Sequence, residues 1–263
     1  MSKVSIPVPI GFDVKGEVGI GSLRTSLHGS PTTTVRQHVI RALYDGTLLS
    51  RIDKIVLVDS AGTERDYTTS LSYSISTGTN QATLTITCTI SITAAYTVAK
   101  VRAYSGTNLY FDTALSTTIS VNAGDSASVT LSITISFSGT LTYGTISASA
   151  SATYPSYTIC YRIAQVLSGG ISTSYISVAN VIFRLYYYGT IQETSKTIAS
   201  IETLSADGLS VTISCSWQAD YDYEIFAIDI QLVDGSIGWS YTLPQTIIVP
   251  KLSTVSYSET VSA

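Results

Sequence analysis

The chain repeats itself, and a repeat constrains a fold strongly, because both copies must be able to adopt the same backbone. Residues 81–92 and 208–219 align at a fixed offset: Cys215 minus Cys88 is 127, and so is Ile213 minus Ile86. The same offset joins Gly62-Thr63 to Gly189-Thr190, Tyr96 to Tyr223 and Val98 to Ile225. Gly106 matches Gly235 after a two-residue insertion. Leu115 then matches Leu243, and Thr118-Ile119-Ser120-Val121 matches Thr246-Ile247-Ile248-Val249, at an offset of 128. A shift held within two residues across this span marks a duplication. With 263 residues in all, each copy is long enough to bury its own core.

Both copies open with a helical period and continue with a strand period. After Pro31-Thr32-Thr33-Thr34, the apolar residues Val35, Val39, Ala42 and Leu43 recur at helical spacing, with threonines available as N-cap and Gly46 as a stop. Ile159, Ile163, Val166 and Leu167 repeat the pattern ahead of Gly169-Gly170. Beyond each helix the apolar residues alternate. The first copy has strands expected near 52–58, 67–75, 81–92, 96–105, 108–112, 117–121 and 127–137. Those of the second are expected near 180–187, 195–203, 209–217, 223–233, 238–242, 245–249 and 253–261. Turn signals such as Thr77-Gly78-Thr79-Asn80, Ala123-Gly124-Asp125 and Ala206-Asp207-Gly208 separate them. Short strands at regular spacing predict an all-β chain of two tandem β-sandwich (jelly-roll-like) domains, each preceded by a short helix.

The division that follows is an extended N-terminal arm over 1–30, a first sandwich over 31–138, a connector over 139–156 that could hold an extra strand at its start, and a second sandwich over 157–263. The arm is expected outside the core because prolines and Gly11, Gly16, Gly19, Gly21 and Gly29 interrupt its pattern. Such arms complete a neighbour's sheet or remain loose termini. Residues 1–10 are too short and too broken by proline for a secretory leader, and no run of about 20 apolar residues exists to span a membrane.

Charged residues make up 12 % of the chain, about half the usual share, which suits a surface covered by neighbours as well as strand faces solvated by Ser and Thr. The 14 Lys and Arg are scattered and the net charge is −4, which argues against binding to a phosphate backbone. Cys88, Cys160 and Cys215 are too few and too dispersed for a disulfide framework or a zinc site, and Cys88 and Cys215 fall on apolar strand faces.

No catalytic, cofactor-binding or metal-binding residue is assigned, and an enzyme is not expected. The two histidines, His28 and His38, have no nucleophile-elbow or metal-ligand context, and Gly19-Ile20-Gly21 lacks the rest of a dinucleotide fingerprint. Asp220, Asp222 and Glu224, with Asp229 and Asp234 downstream, could bind calcium or act as a glycosidase pair, with solvated turn carboxylates as the plainer reading. Tyr186-Tyr187-Tyr188 with Tyr221 and Tyr223 could stack on sugar rings, form a subunit contact or serve as packing.

The cadence of Ile52-Asp53-Lys54-Ile55-Val56-Leu57-Val58-Asp59-Ser60-Ala61-Gly62-Thr63, then Val98-Ala99-Lys100-Val101-Arg102-Ala103-Tyr104, then Leu115-Ser116-Thr117-Thr118-Ile119-Ser120-Val121-Asn122-Ala123-Gly124-Asp125, carries a resemblance. It resembles tandem (double) jelly-roll capsid and turret structural proteins of thermophilic archaeal viruses. The resemblance is one of pattern and covers about two-thirds of the chain. It implies a virion component, in shell, turret, spike or tail, whose partners are its own copies and other virion proteins. An extracellular archaeal filament or surface-layer subunit, and a carbohydrate-binding adhesion module recognising host-surface glycans, are the alternatives that the residues leave open.

Overall fold

The computed structural model describes residues 7–151 and 159–263, and its regular structure is almost entirely strand. The first copy runs β1 (Pro7–Ile20), β2 (Leu23–Pro31), α1 (Thr33–Asp45), β3 (Lys54–Asp59), β4 (Glu64–Thr68), β5 (Leu71–Gly78), β6 (Gln81–Ser91), β7 (Tyr96–Ser105), β8 (Asn108–Val121) and β9 (Ser126–Phe137). The second runs β10 (Thr140–Tyr143), β11 (Ile146–Ser151), α2 (Ile159–Ser168), a 3-10 turn (Thr173–Ile176), β12 (Val178–Tyr187), β13 (Glu193–Ala199), β14 (Ile201–Leu204), β15 (Ser210–Gln218), β16 (Tyr223–Leu232), β17 (Ile237–Val249) and β18 (Thr254–Ser262).

The duplication therefore includes a hairpin ahead of each helix as well as the seven strands after it. The pairings β1–β2, β2–β8, β3–β4, β3–β7, β7–β8, β5–β6 and β6–β9 recur as β10–β11, β11–β17, β12–β13, β12–β16, β16–β17, β14–β15 and β15–β18. Even an irregularity repeats. The β7–β8 ladder breaks between Val98↔Ile119 and Lys100↔Ala114, and β16–β17 breaks between Ile225↔Ile247 and Ala227↔Thr242. The residues on either side are equivalent at offsets of 127 and 128.

Two expectations are corrected. Residues 7–30 are not an arm outside the core: β1 pairs with β9 over Ile10–Ile20 and with β2 over Val14–Ile20, and Val14, Val18 and Leu27 are buried. Residues 1–6 of that predicted arm lie outside the described residues. The glycines explain the misreading, because they permit close contact rather than looseness. A Cβ on Gly16 would lie 2.1 Å from the Thr130 carbonyl oxygen, and one on Gly11 2.6 Å from Ser136 Oγ. The connector has the strand allowed at its start, β10, but this strand pairs with a second, β11, so that the described part of the connector is a hairpin.

The helices form where their spacing predicts. Thr32 caps α1 by accepting a hydrogen bond from the Val35 N–H, and Gly46, at φ 71°, closes it with its N–H bonded to the Ala42 carbonyl. Their packing is exchanged between copies. α2 lies on β5, β6 and β9 of the first copy, while α1 lies on β14 and β15 of the second as well as on its own β8. The Ile52 N–H ties the Leu167 carbonyl at the end of α2 to the first copy at 2.9 Å, and Arg36 of α1 donates to the terminal Ala263 carbonyl. One continuous apolar core results, running from Val35, Leu84 and Phe137 through Ile163 to Trp217 and Trp239. Phe137 and Trp239 meet across the two copies with ring centroids 5.0 Å apart.

Candidate functional surface

The duplicated fold supplies its own control, because each position of one copy can be compared with its counterpart in the other. At one end of the second copy, three loops are tied together. The Tyr188 N–H donates to the Asp222 carbonyl, the Lys251 N–H to Asp222 Oδ1 at 2.6 Å, and the Leu252 N–H to the Ala219 carbonyl at 2.7 Å. Five large apolar side chains stand exposed there: Tyr188, Ile191, Tyr221, Ile248 and Leu252, with Ile191 at 95 %. Tyr221, Ile248 and Leu252 stand where the first copy has Ala94, Ser120 and Gly124, all small or polar, while Tyr188 and Ile191 lie on the β12–β13 connection, which is longer than the β3–β4 connection of the first copy. The same framework thus ends in a polar tip on one copy and an apolar tip on the other.

Leu252 sharpens the contrast. It adopts φ 65° where Gly124 adopts φ 91°. Left-handed backbone costs a side-chain-bearing residue about 1–2 kcal/mol, which glycine avoids. Leucine here is both strained and 67 % exposed, so it benefits neither backbone nor core.

Behind the tip the aromatics interlock. The Tyr223 ring is buried and lies 5.9 Å from Trp217, 5.4 Å from Tyr187 and 6.2 Å from Tyr221, while Tyr186 stacks on Phe226 at 4.4 Å. Burial, and a hydrogen bond to Asp220, raise the Tyr223 hydroxyl well above its ordinary pKa. Of the predicted tyrosines, Tyr188 and Tyr221 face outward, and Tyr186, Tyr187 and Tyr223 pack against other rings.

The carboxylates Asp220, Asp222 and Glu224 are near in sequence but hold separate partners. Asp220 bonds Lys196 Nζ and the Tyr223 hydroxyl, both at 2.8 Å, and these two contacts lower its pKa. Asp222 receives the Lys251 N–H, and Glu224 receives the Gly189 N–H and the Thr246 hydroxyl. Asp229 pairs with Arg184 at 2.7 Å and Asp234 with Arg162 at 2.7 Å. No three His, Cys, Asp or Glu side chains converge as metal ligands among the described residues. Sequence reasoning found the tyrosines and carboxylates but missed Ile191, Ile248 and Leu252; aligning Gly124 with Leu252 is the signal that could have found the tip.

His38 sits on α1 with its Nδ1 2.8 Å from the Tyr110 hydroxyl, and partial burial lowers its pKa. Burial pushes the thiols of Cys88, Cys160 and Cys215 up to about 12, so each stays protonated at neutral pH. One acid is fully enclosed. Glu259, on β18, is 1 % exposed and accepts a hydrogen bond from the Tyr241 hydroxyl at 2.7 Å. Burial raises its carboxyl to about 7, against the opposing effect of Tyr241, Tyr257 and Trp239.

No family model matches this sequence, and no curated protein or solved structure shows significant similarity to it.

Proposed function

We propose that this chain is a structural subunit that works by assembly and, following the resemblance of its sequence, that it is a virion component of the capsid, turret, spike or tail type. The apolar tip on the second copy carries this reading. Exposed aromatic and aliphatic clusters of this kind are characteristic of protein contacts. The low charge supports the same reading, since a particle subunit spends its life against neighbours. Contacts repeated by symmetry then accumulate, so a tip of modest area suffices in an assembly.

The test is light scattering behind size exclusion on the full chain, with electron microscopy of the eluate. Wild-type chain is expected to elute as species well above 28.0 kDa. A variant with small or polar residues at the tip, Tyr188→Ala, Ile191→Glu, Tyr221→Ala, Ile248→Ser and Leu252→Gly, is expected to remain monomeric with an unchanged circular dichroism spectrum. A variant that assembles as well as wild type refutes the tip as the contact. The outward rings of Tyr188 and Tyr221 favour one second reading, a glycan-binding adhesion module. A monomeric wild type whose glycan-array signal is lost in Tyr221→Ala would select it.

A further inference from the structure

The two copies share one sheet, but a second sheet belongs to one of them alone. A parallel ladder from Pro7↔Thr260 to Pro9↔Ser262 joins β1 of the first copy to β18 of the second within a 12-stranded sheet. The 6-stranded sheet, in the order β10-β11-β17-β16-β12-β13, lies wholly in the second copy. Its inward face is core: Phe183, Leu185, Ile228, Ile230, Trp239 and Tyr241 are buried. On the opposite face a groove of about 390 Å³ is lined by Arg184, Glu193, Phe226, Asp229, Ser240 and Thr242, with Ala227 among them.

The first copy fills the equivalent place. Its β7–β8 ladder corresponds residue by residue to β16–β17: Lys100↔Ala114 and Arg102↔Asp112 match Ala227↔Thr242 and Asp229↔Ser240. In the first copy the Lys100 ammonium lies 3.4 Å from the Asp112 carboxylate, and the Arg102 guanidinium 3.5 Å from the same group. Long side chains, paired with one another, thus cover that sheet. In the second copy Ala227 and Ser240 replace Lys100 and Asp112, and the shorter side chains leave the face hollow. A cation returns one strand over, since Arg184 stands opposite Ala227 where Val58 stands opposite Lys100.

The lining combines hydrogen-bonding groups with an aromatic surface. Asp229 is 6 % exposed and accepts a hydrogen bond from Arg184 Nε at 2.7 Å. The Arg184 side chain nonetheless remains 46 % exposed, and a guanidinium carries donors beyond Nε. Glu193 adds an acceptor, and the Ser240 and Thr242 hydroxyls both donate and accept. Phe226 supplies the aromatic surface, backed by Tyr186 stacked on it at 4.4 Å. Since β12, β16 and β17 each lie between two other strands, a peptide cannot be added here as a further strand. Two carboxylates against one guanidinium disfavour an anion. We propose that this groove binds a neutral sugar, with its hydroxyls bonded to Arg184, Asp229 and Ser240 and its C–H face laid on Phe226. An aromatic wall with a few placed polar groups is the usual make-up of a small-ligand site. The site is separate from the apolar tip, none of whose five side chains lines it.

Saturation-transfer NMR on the full chain tests this, with maltotriose, cellotriose and mannotriose as probes and trigalacturonate as the charged control. Transfer to at least one neutral trisaccharide is expected, and none to trigalacturonate. Ala227→Lys with Ser240→Asp copies Lys100 and Asp112 of the first copy into the groove and should weaken binding about tenfold or more. Phe226→Ala leaves the Arg184–Asp229 pair in place and should remove transfer to the sugar C–H protons, which keeps the test open should the double variant fail to fold. Wild-type chain that gives no transfer to any of the three neutral sugars overturns the proposal, as does a preference for trigalacturonate. So does binding that survives the groove variants. Binding lost in Tyr221→Ala but kept in those variants overturns it as well, because the sugar would then sit at the tip.

Discussion

Glu259 shows how a single buried side chain sets a property of the whole protein. Its carboxyl titrates near 7 when folded, against an ordinary 4.5, because burial disfavours its charge. The folded state thus binds this proton more tightly than the unfolded chain does. The stability that the neutral acid supports is fully present below about 4.5 and is lost as the pH rises through the folded value. The loss amounts to about 3 kcal/mol. Glu259→Gln keeps the shape and removes the charge, so it should match wild type in denaturant unfolding at pH 4.5 and exceed its stability at pH 8. A difference independent of pH would show that the carboxyl does not titrate in this range. Glu259 was not singled out from the sequence, although it shares the alternation of Val255, Tyr257 and Val261 and not that of Ser256, Ser258 and Thr260. Its burial comes from β18 turning Tyr257, Glu259 and Val261 inward together.

At the scale of elements, strands were legible and their neighbours partly so. The expected strands at 81–92, 96–105 and 223–233 correspond to β6, β7 and β16 within a residue at each end, because alternation there is regular and turns are marked by glycine. β1 was missed for a physical reason: its glycines give no apolar signal, yet they are what lets β9 approach. The helices were also legible, but not where they dock, since amphipathicity encodes a face and carries no address. That address has a measurable consequence. Ile163 of α2 is fully buried, and the helix covers β5, β6 and β9. Ile163→Ala should cost about 2–5 kcal/mol. Hydrogen exchange should show the loosening in β5 and β6 of the first copy. Loosening confined to β14 and β15 would contradict the exchange of helices.

For the molecule as a whole, the exchange turns two sandwich-like units into one cooperative body. Residues 1–138 and 139–263, expressed separately, each lack the helix that covers a sheet of their own. Neither half is expected to unfold cooperatively alone, and mixing them should restore a single thermal transition. A sharp transition in either isolated half would establish independent units. The tip belongs to this scale too. The repeat was readable in the chain, but the divergence between its copies acquires meaning only once exposure is known.

The parallel ladder between β1 and β18 has a mechanical side. It holds the first described strand of the chain against the last, with Pro7 beside Thr260 and Pro9 beside Ser262. In parallel strands the free ends point in opposite directions, so a pull applied to the two termini loads the ladder in shear. Its bonds then resist together, where an antiparallel closure would peel them apart one at a time. A subunit anchored by both ends would meet tension at this seam first, in the geometry that yields last.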